Sequence, residues 1–298
     1  MKGMREIRNR MKAVASTGQI THAMELVAAS KMKRAQNSAE AGRAYAILLM
    51  DLTETVLERL GKMISRAANI AGKKRLIIVF STDKGLCGSL NSNIFKAIAE
   101  IPREEADYIA VGSRAGRFIV KTGRVLKGQF KISDAVAFAE TRKVAEFAMK
   151  LARDSGEYGS IEVLYPIFVN TLRQETALVK LAPADDLTPF IERLRKSYKM
   201  ADVAVAAREE RNVEFEPSAG EVLARLPQYY IRQSLHHIAL DAKASEYSAR
   251  MVAMKSASDN ADALLSELNL EYNKARQSAI TTEILELSSA AAETGEQL

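Results

Sequence analysis

The chain has 298 residues, 47% hydrophobic and 27% charged, enough to bury a sizeable core in one or two domains. Its net charge of +6 is concentrated, because residues 1–43 carry nine basic side chains against three acids and the remainder balances. No apolar run approaches the roughly 20 residues that cross a bilayer, and one cysteine (Cys87) with three histidines excludes an internal disulfide and is too few for a cysteine or histidine metal cluster.

The basic start, Met1 to Arg10, is followed by no apolar core, which speaks against a secretory signal and leaves an organellar leader open. From Met4 to about Gly61 there is no proline, and small or helix-favouring residues dominate, so this region reads as one long helix that tolerates Gly18 and Gly42. Its basic field calls for a partner of opposite sign: nucleic acid, an anionic membrane or an acidic protein surface. Ala35, Ala39, Gly42, Ala46 and Leu49 give it a stripe of mostly small side chains.

The period then changes. Arg75 to Phe80 reads as a buried strand, residues 91–98 as a helix and residues 108–112 as a second strand. Residues 134–151 form an amphipathic helix, followed by strand-like runs at 161–165 and 176–181. Alternating strands and helices predict a small open α/β sheet. Ser218-Ala-Gly-Glu221, after Pro217, has the spacing of a capping box, and from Gln228 to Thr294 there is neither glycine nor proline. A helix of that length runs roughly 100 Å, several times the diameter of a small domain. Ile231, Leu235, Ile238, Ala242, Ser245, Ala249, Val252 and Ser256 alternate at four and three, the seam of a left-handed coiled coil. Both long helices offer small residues, so their backbones can approach closely; the pattern alone leaves parallel and antiparallel pairing open.

The loop Asp83-Lys-Gly-Leu-Cys-Gly-Ser-Leu-Asn91 lies between strand and helix, the setting of many phosphate sites. It lacks the third glycine of a dinucleotide fingerprint, and Lys84 precedes the first glycine, where a P-loop lysine follows the last. Cys87 has no histidine near it in sequence to act as a base. The expectation is a tight strand-to-helix turn with no catalytic, cofactor or metal residues. A nucleotide-dependent enzyme would need that loop to work. A coiled-coil nucleic-acid binder would explain the basic end, but no recognised readout element accompanies it and aromatics are 6% with no tryptophan.

Met4-Arg-Glu-Ile-Arg-Asn-Arg-Met11, the run from Thr17 to Gln36, the loop Asp83 to Asn91, Glu214-Phe-Glu-Pro-Ser218, Ala249-Arg-Met-Val-Ala-Met254 with Asp259-Asn-Ala261, and the run from Arg276 to Glu286 together resemble the gamma subunit of F-type ATP synthases. They span nearly the whole chain in order. Ala290 stands where that family usually has glycine, and residues 186–211 fit its pattern poorly.

The resemblance implies an antiparallel coiled coil of the chain ends (1–61 and 218–298) with an inserted Rossmann-like α/β foot (72–183) and a connecting segment (184–217). It implies a non-catalytic shaft without cofactor, turned by the membrane c-subunit ring, whose asymmetric surface drives the catalytic beta subunits through their cycle. Partners would be the alpha and beta ring, the epsilon subunit and the c ring, with no nucleic acid. Membrane association would be indirect, on the cytoplasmic face of a bacterial inner membrane. Residues matching Met24, Arg250, Arg276, Gln277, Thr281 and Glu283 would meet the ring or join the shaft helices, and Lys31, Lys33 and Arg34 would face acidic loops of the beta subunits. For Met24, spacing with Ile20 and Val27 fits plain coiled-coil packing equally. The small tip at 288–292 would suit a bearing.

Overall fold

The computed structural model describes residues 2–60, 72–183, 216 and 218–295. Among these residues the elements in order are α1 (Lys2–Leu60), β1 (Lys74–Phe80), α2 (Leu90–Ala99), β2 (Ala106–Val111), α3 (Ser113–Lys121), β3 (Leu126–Phe130), α4 (Phe138–Ser155), β4 (Tyr158–Phe168), β5 (Gln174–Ala182) and α5 (Ala219–Gly295). The expected long helices are both present. Ser218 caps α5 as its spacing predicts, its hydroxyl accepting the Glu221 N–H at 3.3 Å.

The sheet order is β3-β2-β1-β4-β5, with the first four strands parallel and β5 antiparallel to β4. A central parallel strand is covered on both faces, which is why β1 reads as an unbroken apolar run. Leu76, Ile78 and Phe80 of β1 join a core with Val144 and Ala148 of α4 and with Ile231, Leu235 and Ile238 of α5. Ile77 and Val79 point the other way, toward Ile94 and Ile98 of α2 and Ala115 and Ile119 of α3.

Two elements, α3 and β3, are invisible to the sequence reading because a glycine interrupts each. Both glycines are closely packed by side chains. A Cβ on Gly116 would lie 2.4 Å from Gln129 Oε1, and one on Gly128 2.8 Å from the Phe147 ring. The helix expected to begin at Asp134 begins instead at Phe138. Glu140 accepts the backbone N–H of Ala137 at 3.2 Å and that of Ser133 at 3.2 Å, so residues 134–137 form the turn before the helix.

The chain divides into two units: residues 1–27 with 251–298, and residues 28–250. In the first, the covered stripe of α1 runs through Met4, Ile7, Met11, Val14, Gly18, Thr21 and Glu25, flanked by the half-buried Ala15 and Met24, and that of α5 through Met254, Ser258, Ala261, Leu265, Leu268, Tyr272 and Ala275, flanked by the half-buried Ala257 and Leu264. Both alternate at three and four, the two-stranded period. Gly18 sits opposite Ala261, so close that a Cβ on Gly18 would lie 3.3 Å from the Ala261 Cβ. In the second unit Lys31 sits over Tyr247. Further along α1 in the same unit, Ala39 joins the core that holds Tyr230 and Ala242 of α5, so the numbers there run in opposite senses, the order of an antiparallel pair.

The seam expected on α5 is correct only in part. Ile231, Leu235, Ile238, Ala242, Ser245 and Ala249 are buried, but Val252 is half-buried and Ser256 exposed, and the two-stranded seam runs two residues later through Met254 and Ser258. Between residues 230 and 250 the helix is covered on nearly every side. A helix wrapped all round carries no phase information for the stretch beyond it. On α1, Ala35 and Ala39 are buried and Gly42 half-buried as expected. The side chains of Ala46, Leu49 and Ala290, and the whole of 186–211, lie outside the described residues.

Candidate functional site

At the carboxyl ends of β1 and β2, where open α/β sheets receive nucleotides, the chain fills its own crevice. Asp83 Oδ1 accepts the Ser113 N–H at 2.8 Å, so its carboxylate occupies the N-terminus of α3 where a phosphate would sit. Ser113 Oγ donates to the Asp83 carbonyl at 3.0 Å, and the Ala115 N–H to Ser81 Oγ at 2.9 Å. Asn91 ties the loop from within, donating to Thr82 Oγ1 at 2.8 Å and to Cys87 Sγ at 3.1 Å.

The loop then docks on α5. Cys87, Leu90 and Ala249 form one apolar cluster, and Arg250 donates to the Gly85 carbonyl at 3.4 Å. What remains of the crevice is a cavity of about 20 Å³ lined by residues including Ser81, Thr82, Gly112, Ala242, Lys243 and Glu246. That is room for about one water molecule. Cys87 is buried, and that burial, opposed by Thr82 and Arg250, pushes its thiol up and makes it a poor nucleophile. Among the described residues no group of three metal-ligating side chains comes together. The expected turn is what the loop forms.

Beside this loop, one face of α5 turns polar. Lys243, Glu246, Tyr247 and Arg250 share it. Glu246 pairs with Arg250 at 2.9 Å and with Lys243 at 3.0 Å. The Tyr247 hydroxyl donates to Asp134, which also accepts Lys31 Nζ at 2.6 Å. Lys31, Lys243 and Arg250 lie 5.6, 5.8 and 5.8 Å from the centre of the Tyr247 ring. Burial alone would raise the Asp134 carboxyl, but the bonds from Lys31 and Tyr247 outweigh it and hold it below its ordinary value. Sequence reasoning missed Asp134, Glu246 and Tyr247. The Glu246 to Arg250 spacing of four was the one legible signal.

The sequence-nominated contacts separate into two groups. Lys31 and Arg250 are committed within the chain, to Asp134 and Glu246 respectively. Lys33, Arg34, Arg276, Gln277, Thr281 and Glu283 are exposed, while Met24 is half-buried. Ile20 and Val27 are 58% and 55% exposed, so the 20, 24, 27 spacing is not the packed seam. Further along α5, Ile280, Ile284, Leu285 and Leu287 are 48–68% exposed. No described helix is long and apolar enough to cross a membrane.

A family model described as "ATP synthase" matches residues 3–293. An ATP synthase gamma chain of Opitutus terrae is 45% identical over 295 residues, covering 97% of this chain and 98% of that one. One from Methylacidiphilum infernorum is 37% identical with the same coverage. Among solved structures, a chain from the central stalk and c ring of the Tetrahymena thermophila mitochondrial ATP synthase superposes with a TM-score of 0.61 at 26% identity, covering 80% of this chain and 99% of that one. A chain from the Euglena gracilis mitochondrial enzyme reaches 0.66 at 17% identity over 100% of this chain and 97% of that one, a likeness of fold.

Proposed function

The chain belongs to the ATP synthase gamma-chain family, and from that premise we propose that it is the central shaft of an F-type ATP synthase, turned by the c ring and turning within the alpha and beta subunits. The observation that carries this is the outward face of the helix pair in the first unit. On it Ile20 and Val27 of α1 are exposed, and past Ala275 of the covered stripe so are Ile280, Ile284 and Leu287 of α5, all at 48–68%. Such a surface calls for a sleeve. Catalysis then belongs to the partner beta subunits, in keeping with a crevice at the strand ends that holds about one water. Attachment to the membrane is indirect, on the cytoplasmic face of a bacterial inner membrane, through the epsilon subunit and the c ring.

Within this reading Met24, Lys33, Arg34, Arg276, Gln277, Thr281 and Glu283 are contacts to the ring, supported by the exposure of all of them except the half-buried Met24. Lys31 and Arg250 act from inside the shaft, through Asp134 and Glu246. The sequence domains 1–61, 72–183, 184–217 and 218–298 serve as shaft, foot, connector and shaft. The test is mild-detergent purification of the tagged chain with mass identification of what accompanies it. Alpha and beta subunits each in excess over this chain are the expected result; nucleic acid or no partner would overturn the reading.

A further inference from the structure

We propose that the cluster of Asp134, Tyr247 and Lys31 is a register lock, and that Asp134 and Tyr247 are positioning residues for coupling. Most of what α1 buries beside the sheet is small: Ala28, Ala35 and Ala39 are its fully covered side chains there. Small apolar faces pack closely but without direction, so neighbouring registers of such a pair differ little in energy. Buried polar groups are the best-attested device for singling out one register.

The polar face of α5 has that character, while its partners Lys31 and Asp134 stay 39% and 53% exposed in their side chains. Its Glu246, Tyr247 and Arg250 are 7%, 4% and 9% exposed, and from one stripe of helix they reach three separate segments. Arg250 reaches the loop at Gly85. Tyr247 reaches Asp134 in the turn before α4, and through Asp134 it reaches Lys31 of α1. Turning α5 by one residue, about 100°, would withdraw the hydroxyl from Asp134 and the guanidinium from Gly85 together. Asp134 can serve because the turn at 134–137 leaves it outside α4. Among the described residues Lys243, 4.0 Å from Asp134, also faces it. A shaft that carries twist needs such a lock, since a smooth seam would let the foot turn without the helix. This rests on the shaft reading above.

The experiment uses membrane vesicles bearing the complete complex and reads ATP-driven proton pumping divided by ATP hydrolysis. Asp134→Lys places a third cation beside Lys31 and Lys243, and Tyr247→Phe removes the hydroxyl alone. Each is expected to lower the ratio by about two- to five-fold, the size of coupling between neighbouring groups. Lys31→Asp combined with Asp134→Lys re-forms the ion pair without the acceptor for Tyr247 and should restore the ratio in part, while Lys150→Glu on the outer face of α4 should leave it at the parental value. An unchanged ratio in assembled complexes of both single variants would overturn the lock. So would a ratio in the double variant no higher than in Asp134→Lys alone, or a lowered melting temperature at parental ratio, which marks a merely structural clip. The shaft reading itself fails differently, by absence of the chain from the parental complex.

Discussion

Gly112 shows how little room single residues have at the strand ends. Its φ is +100°, and a Cβ there would lie 2.2 Å from the Ser81 carbonyl oxygen, which is backbone and cannot step aside. Gly123 has a similar φ of +70° but meets only Arg103 Nη1 at 3.6 Å. Gly123→Ala therefore carries the left-handed penalty alone, about 1 kcal/mol, whereas Gly112→Ala adds a backbone clash and should cost about 3 kcal/mol or more. Denaturant unfolding of the two variants checks the ranking. Asp241 makes a second residue-scale case. Burial, opposed only by the Phe168 N–H at 3.3 Å, pushes its carboxyl from 3.8 to about 7. A folded-state value above the unfolded one means that its stabilising contribution is full below about pH 4 and is lost as pH rises through 7. Asp241→Asn, which keeps an acceptor for Phe168, should raise stability at pH 8 by about 2–4 kcal/mol and by much less at pH 5. Melting temperatures at the two pH values decide it. Equal gains at both would mean that the carboxyl titrates normally.

At the scale of elements the decisive quantity is the distance between helices. Gly18 faces Ala261 so closely that an added methyl would already stand 3.3 Å from its neighbour. Ala261→Leu should force the pair apart and cost about 1–3 kcal/mol, seen as faster amide exchange in residues 1–27 and 251–275 with the sheet unchanged. The same smallness explains what the sequence revealed and what it hid. Long helices announce themselves by the absence of proline over tens of residues, and β1 by an unbroken apolar run. The elements α3 and β3 stayed hidden because Gly116 and Gly128, closely packed by side chains, look like breaks. The seam beyond Ala249 was misplaced by two residues because α5 is covered on nearly every side up to Arg250. Asp134 and Tyr247 were illegible for a different reason. Their partnership spans 113 residues, and nothing local in either segment points to the other.

For the whole molecule, charge placement separates what holds the chain together from what meets a partner. Lys31 and Arg250 belong to the first set. Their acids are on the same chain, and Arg250 with Glu246 is buried enough that Arg250→Ala should cost about 1–3 kcal/mol, because it leaves the Glu246 carboxylate with Lys243 as its one cation partner among the described residues. Glu246→Gln in the same chain should recover part of that loss. Lys33 and Arg34 belong to the second set, being exposed on a helix whose first 43 residues hold the entire net charge. Exposed pairs are worth about 0–1 kcal/mol each, so their removal should barely change folding. A field of one sign does act on encounter, through distances of about 10 Å at 0.1 M salt. Lys33→Ala with Arg34→Ala should therefore slow association with purified alpha and beta subunits several-fold at low salt, and the difference should vanish near 1 M salt as the Debye length falls to about 3 Å. Stopped-flow association across a salt series measures this. A defect that persists at high salt would move these two side chains into a packed contact, and a defect at no salt concentration would leave the basic field without a role in assembly.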